Sequence, residues 1–598
     1  MWRWKSMMAA LLLICFDLTA QESDSFAAIS EFTGAVSAEE IDNEEVERLE
    51  KFLSRPLKIN MSNTSRLLES GLLTTYQMAS LVDYRTRHGD ILSLTELAAV
   101  DGFGHDFVRK IAPFISLETA RMPGQRAGNT RKTSMELDIK GGLRAMDNLK
   151  DQYALRYRIE YGECFQGGIA LSKAAESSRP DAISDNIFWS SDRHPFKLAA
   201  GNFNARFGQG LALWNGMSIS SVNKPSSYLK RASGISPSYS FTGNYAFRGV
   251  AAETFAGRFR LSMMAAFTES GKNKGILPAI NLSWLWRSGQ AGLTHYAGFQ
   301  WPSGVLTIPD MKTSCDIACT LRGVDLFAEV AYDWISCALA SVAGTVFPAG
   351  ENLRMAVMLR YYPPTYSSAY SAASRALTRC SNEYGMSMSA EFAGGRWINI
   401  SGKDGAGASS RRFEGAICAD AAYFPVPKDQ SGVRSIQMKC LAEFKIMISE
   451  ELSLHLRASE RFRTWGNSSR ADIRADILYY SRSCDLCFRA NIVKSENIAF
   501  LSFAEAAVKS KALKFTLKSG IFFVDDWDDR IYSYERDIPG SFNVPAFYGR
   551  GCWGSFTASW QYSRWGRAYI RAGITDYPFM KEKKPGKAEL KLMLRFHI

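Results

Sequence analysis

From Met135 to Ile598 the chain alternates apolar and polar residues with a period of two. Tyr153, Leu155, Tyr157, Ile159 and Tyr161 alternate with Arg156, Arg158 and Glu160. Phe259, Leu261, Met263, Ala265 and Phe267 form a second set, with Arg258 and Arg260 on the other parity. Ile436, Met438, Cys440, Ala442, Phe444 and Ile446 form a third, with Lys439, Glu443 and Lys445 between them. In an extended strand, successive side chains point to opposite faces. About 20 to 23 such segments, separated by polar turns, are the pattern of a transmembrane antiparallel β-barrel. The expected fold is therefore mainly β, a large barrel of about 20 or more strands over 134–598. On this reading the polar parity lines the pore, which places Arg156, Arg158, Arg258, Arg260, Lys439 and Lys445 there.

The pattern ahead of the barrel is helical. In residues 56–117, Leu67 and Leu68 precede Gly71-Leu72-Leu73, and Met78, Ala79, Leu81 and Val82 follow. Leu97 and Val100 precede Gly102-Phe103-Gly104, and Phe107, Val108 and Ile111 follow. Each copy predicts a short helix, a glycine turn and a second helix. Ser93 or Thr95 is placed to cap the helix carrying Leu97. Neither hairpin can bury its apolar face alone, whereas two stacked together can.

With the lead-in Lys58-Ile59-Asn60 and the linker Asp83-Tyr84-Arg85, this stretch resembles a tandem helix-hairpin-helix module of the ComEA type, a small DNA-binding domain of competence proteins. The resemblance implies backbone N–H groups of the turns set against DNA phosphates. The residues it assigns are Gly102, Phe103, Gly104, Arg109, Lys110, Gly71, Arg85 and Arg87. The first turn departs from the pattern, with Leu73 in place of its second glycine. The net charge of 56–120 is −1, where a DNA binder usually shows a basic footprint. Two readings stand open: a phosphate-binding domain and a protein-docking domain.

The remaining segments set the location. Residues 1–20 have the basic start, short apolar run and Leu18-Thr19-Ala20 site of a secretory signal peptide. No apolar run is long enough to cross a bilayer as a helix. Residues 21–55 carry a net charge of −7, and Ile41, Val46, Leu49 and Phe52 predict one amphipathic helix packing on the hairpins. Residues 118–133 make a polar linker. In the last segment Ala588, Leu590, Leu592, Leu594, Phe596 and Ile598 alternate with polar or charged residues and Met593. This segment resembles the terminal strand of bacterial outer-membrane barrels. The chain is thus expected in the outer membrane of a Gram-negative bacterium, with residues 21–117 periplasmic.

Charge then shapes the functional expectation. The chain carries +12 in total, and the part after residue 120 carries +19. A basic lumen favours anions, whereas basic residues paired with acids inside, or lying in loops, do not. The blocks 201–216 and 525–551 stand out as loops. Asp525, Asp526, Asp528 and Asp529 cluster, without the spacing of a defined Ca²⁺ site. Among the cysteines, Cys315 and Cys319 share a parity and form the best candidate pair. Nothing implies an enzyme, a metal or another cofactor. The leading expectation is a barrel whose periplasmic hairpins bind DNA non-specifically, in uptake or transit. The other is an anion-favouring channel or structural protein whose hairpins act as plug or docking module. The expected partners are membrane lipid, DNA and envelope proteins.

Overall fold

The computed structural model describes residues 25–35, 43–119 and 133–598, apart from 146–147, 163, 181, 192–195, 217–220, 239, 242–245, 271–272, 302–305, 351, 397–410, 430–433, 450, 482, 511, 542 and 581–583. The signal peptide and Ile41 lie outside the described residues.

Twenty-four antiparallel strands close into one barrel. The last strand, Lys587–His597, pairs with the first, Thr133–Ala145, from Ala588↔Ala145 to His597↔Glu136. Closure leaves no unpaired edge, as a bilayer demands of any spanning sheet. The outer parity is apolar, and Ile139, Leu155, Ile187, Ile280, Ile473 and Leu592 all stand exposed on it. Trp189, Trp284 and Trp560 lie near the end that holds both barrel termini, and Trp301, Trp334 and Tyr361 near the other. An apolar band between two aromatic girdles is the outer surface of a barrel set in an outer membrane. The expected fold and location agree with this surface.

Three connections are much longer than the rest: 207–246, 363–382 and 525–548. All three leave the barrel at the end away from its termini, which is the extracellular end. They turn inward. Phe207, Leu211 and Leu213 of the first pack with Tyr366 and Ala373 of the second in one buried cluster. Tyr366 donates to the Leu211 carbonyl (2.9 Å), and Ala372 N to the Gly210 carbonyl (2.9 Å). Glu329, on strand Val324–Asp333, accepts the backbone N–H groups of Gln209 (2.7 Å), Leu211 (3.0 Å) and Ala212 (3.2 Å). A side chain at Gly208, which has φ +59°, would strike that carboxylate. The bend Gly208-Gln209-Gly210 is thus a nest closed around an anion of the chain itself.

The N-terminal part forms six helices among the described residues: α1 (Ser25–Thr33), α2 (Asn43–Ser54), α3 (Thr64–Glu69), α4 (Thr75–His88), α5 (Leu94–Ala98) and α6 (Gly104–Ile111). Asn63 caps α3, Thr74 and Gln77 form a capping box on α4, and Ser93 caps α5. Leu57–Lys58 pairs in parallel with Ile115–Ser116, tying the start of the hairpins to their end. Val46, Leu49 and Phe52 of α2 are buried with Leu67, Leu97 and Val108 in the hairpin core, as the amphipathic pattern implies.

Candidate functional site

The helical domain sits inside the barrel. Its anchors run around much of the wall. Glu160 takes Lys51 of α2 at 2.6 Å and Arg66 of α3 at 3.0 Å. Lys197 reaches Glu69 at 3.4 Å and Glu253 at 3.0 Å. Arg260 donates to the Thr75 hydroxyl (3.1 Å), and Tyr76 shares a hydrogen bond with Thr320 (2.6 Å). Lys110 pairs with Glu391 at 3.1 Å, and Arg109 with Glu414 at 3.6 Å. At the rim, Arg287 pairs with Asp101 at 2.6 Å.

One acid of the segment 21–55, Glu47, finds its counter-charge on the wall. Arg156 is buried between Glu47 of α2 and Asp138, the latter at 2.6 Å. Asp138 also takes Arg595 of the last strand at 2.7 Å. Phe241, from the first inward connection, lies under Lys140 (3.7 Å) and Arg156 (3.9 Å). Gly540, from the third, sits against Phe241 and Lys140, with Glu47 beside it. Plug and inward connections therefore meet in mid-barrel. Glu50 lies here too. Burial, then its neighbour Glu47, pushes its carboxyl up to about 7, against the pull of Arg595, Lys140 and Lys514.

Much of the pore-lining set faces the lumen, but in different company. Arg156 and Arg158 are paired, the latter with Glu136. Arg260 is buried and hydrogen-bonded to Thr75 and Ser283. Lys439 and Lys445 line open space. Arg258 is a correction: it lies exposed in the tight turn between Phe247–Ala256 and Phe259–Ser270, because the strand ends before it. The Cys315–Cys319 pairing also fails, since both lie on strand Thr307–Leu321 four residues apart. At about 3.3 Å per residue that separation is far beyond disulfide reach.

The residues assigned to phosphate contact are divided. Gly104 (φ +67°) has open space where a side chain would stand, and it lines a cavity inside the barrel. Gly102 (φ +84°) is closed by Tyr76, whose ring lies 2.5 Å from where a Cβ would be. Phe103 is buried in the domain core. The first turn is covered: the Arg48 guanidinium lies 2.7 Å from a Cβ built on Gly71, and Leu73 is buried. Arg109 also pairs with Glu31 at 3.1 Å, and Lys110 is held by Glu391. Arg85 donates to the Asn60 and Ser62 carbonyls, and Arg87 pairs with Asp83 at 2.9 Å.

Beside the plug runs a cavity of about 1490 Å³. One wall is the Gly102–Gly104 turn; the other is strands Ser435–Met447, Leu452–Arg463, Ser468–Tyr480 and Cys484–Lys494. Its lining reaches from Arg463 and Gly466 at the extracellular end to Leu478 and Tyr480 at the periplasmic end. The aspartate cluster lies near its mouth, bonded within the protein: Asp525 to Arg550 (2.7 Å), Asp526 to Asn497 (2.7 Å) and Asp529 to Ser495. Sequence reasoning missed Glu329 and Arg461, both at ordinary polar positions of strands. It also missed the inward course of 207–233, although Phe207 and Leu211 to Leu213 are apolar residues in a loop and so demand burial.

No family model and no curated protein matches this chain. Among solved structures, the translocation pore of the P pilus usher PapC is similar at 9% identity, with TM-score 0.35, over 78% of this chain and 99% of that one. The siderophore receptor PirA from Pseudomonas aeruginosa is similar at 8% identity, with TM-score 0.39, over 78% and 80%. Pseudomonas aeruginosa OccK11 is similar at 8% identity, with TM-score 0.30, over 78% and 95%. Likenesses this distant assign neither a family nor a cargo.

Proposed function

We propose that this chain is an outer-membrane translocation barrel gated by its own N-terminal helical domain. The observation that carries the reading is the way the plug is held. Its anchors are polar and charged pairs spread around the wall, at Glu160, Lys197, Arg260, Thr320 and Glu391. A domain meant to stay would be expected to bury a continuous apolar face, as it does among its own helices. Lys197, Glu69, Arg260 and Lys110 are buried, and a buried ion pair loses most of its Coulomb attraction to desolvation, so it holds less firmly than apolar surface of the same size. The test is conductance of the full chain in planar bilayers. Wild type should be closed for most of the recording. Glu47→Arg with Glu160→Arg sets like charges against Arg156 and Arg66, and should raise the open fraction at least about tenfold, the effect of a 1.4 kcal/mol loss of docking. A wild type that is fully open, with conductance unaffected by the reversal, would remove the gate.

A second reading is nucleic-acid binding, and the open side of Gly104 favours it. That turn sits on the cavity, so a phosphate could approach its N–H groups only along the lumen. Anisotropy of labelled duplex and single-stranded DNA with the full chain at low salt tests it. Binding should fall with salt and with Gly104→Val. Absence of binding ends the DNA role and leaves the hairpins as a plug.

A further inference from the structure

The wall of the cavity carries an arrangement found nowhere else on the described inner surface. Lys439, Arg461 and Arg470 stand directly opposite one another on three adjacent strands. Like charges in direct cross-strand register are destabilising. Other inward arginines are paired with carboxylates: Arg360 with Glu383 (2.9 Å) and Asp420 (2.7 Å), and Arg489 with Asp476 (2.6 Å).

Around Arg461 the partners are different. Arg470 donates to the backbone carbonyls of Asp528 (2.6 Å) and Arg530 (2.7 Å). Arg463 donates to the Gln437 amide oxygen (2.8 Å) and lies over Trp465. Arg530 has its nearest carboxylate, the exposed Asp528, at 3.8 Å. Arg461 itself has no hydrogen bond or ion pair among the described residues, and its Nε is buried. The charges acting on it are those of Arg463, Arg470 and Arg530, opposed by Asp528. Asp472 and Glu496 also line the cavity.

We propose that Arg461, Arg470, Arg463 and Arg530 form a binding site for a small solute bearing an oxyanion, phosphate or carboxylate, inside the lumen. Carbonyl and amide acceptors fix Arg470, Arg463 and Arg530 without cancelling their charge. The guanidinium forks then converge on a space that Arg461 enters with donors unspent. A planar fork binds either oxyanion through paired N–H groups. The cavity is large enough for the solute and its water. The site lies at the extracellular end of strand Leu452–Arg463, where an entering solute would meet it before the plug. The proposal deepens the transport reading and depends on it only for what happens to the anion once bound.

The experiment is equilibrium dialysis of the full chain in neutral detergent at low ionic strength, against radiolabelled inorganic phosphate and, separately, succinate. Saturable binding of at least one is expected. Arg461→Gln with Arg470→Gln should weaken it at least about tenfold, as loss of charge-assisted hydrogen bonds implies. Arg179→Gln, in an exposed loop at the same end of the barrel, should leave it unchanged. Asp472→Asn should tighten it severalfold, and serves as the reporter should the double variant not fold. Preference for phosphate or for succinate identifies which oxyanion the site takes. Absence of saturable binding, or a folded double variant that binds as wild type, overturns the site and leaves the gate standing. Binding in a barrel that never opens keeps the site and removes transport instead.

Discussion

The two sides of this lumen solve one geometric problem in opposite ways. Eight strands close around a space their own side chains fill, whereas twenty-four leave a wide hole. On the side of strands 247–362, inward connections fill it. Phe207, Leu213, Tyr296, Phe327 and Tyr362 are buried together, and Glu329 beside them is answered by three backbone N–H groups. On the side of strands 435–494, water is left in. Arginines stand there in rows, because a wet wall tolerates like charges that a dry one would not. The row Lys439, Arg461 and Arg470 stands on this open side, although carboxylate pairs such as Arg489 with Asp476 stand there too.

Breaking the dry side should have the largest effect. Glu329→Ala would leave three buried N–H groups without an acceptor, at about 1–3 kcal/mol each. A loss of at least about 3 kcal/mol is expected. It should appear as a lower temperature for the shift between unheated and boiled gel mobility, and as protease cutting within 207–233. An equivalent change on the wet wall, such as Asp472→Ala, should move neither.

The plug seam comes next. Arg156→Ala removes the partner of Glu47, but Asp138 keeps Arg595 at 2.7 Å. The cost should therefore be about 2–3 kcal/mol, below that of a fully orphaned buried charge. It should fall on the helices, as a lower midpoint in circular dichroism at 222 nm, with the barrel's β signal unchanged.

Two glycines of one turn sharpen the contrast on a scale of ångströms. Both have positive φ, so alanine is strained at either, by about 1 kcal/mol. At Gly102 the new Cβ would also strike Tyr76, while at Gly104 it would enter open cavity. Gly102→Ala should lower the helical midpoint by about 2 kcal/mol and Gly104→Ala by about half that.

This contrast also marks where the sequence is readable. Period two identified the strands, the outer belt and the closing segment, because the bilayer imposes one chemistry on every outward position. The helices of the hairpins and the Ser93 cap were readable, since helix ends are local. What a lumen-facing residue meets was not. Arg156 and Arg461 occupy the same kind of polar position, yet one is clamped by Glu47, 109 residues away, and the other lines the cavity with no carboxylate partner among the described residues. The acidic charge of 21–55 and the basic excess after 120 were visible separately. The pairing of Glu47 with Arg156 across them is a fact of tertiary structure.

The last test moves the seam between the two sides by pH. Glu50 is placed among Glu47, Lys140, Lys514 and Arg595, and burial raises its carboxyl from 4.5 to about 7. The docked state thus holds this proton more tightly than an unfolded chain does. Its contribution to stability is complete below about 4.5 and is lost as pH rises through about 7. Docking of the helices should therefore weaken by about 2–3 kcal/mol between roughly pH 5 and pH 8, the pull of the three nearby cations being already contained in that value. Glu50→Gln keeps the shape, cannot ionise, and should flatten that dependence while leaving stability at pH 5 nearly unchanged. The measurement is the 222 nm midpoint of both proteins across that range. If wild type is as stable at pH 8 as at pH 5, water reaches Glu50, and the wet side extends under the plug to the Asp138–Arg156 wall.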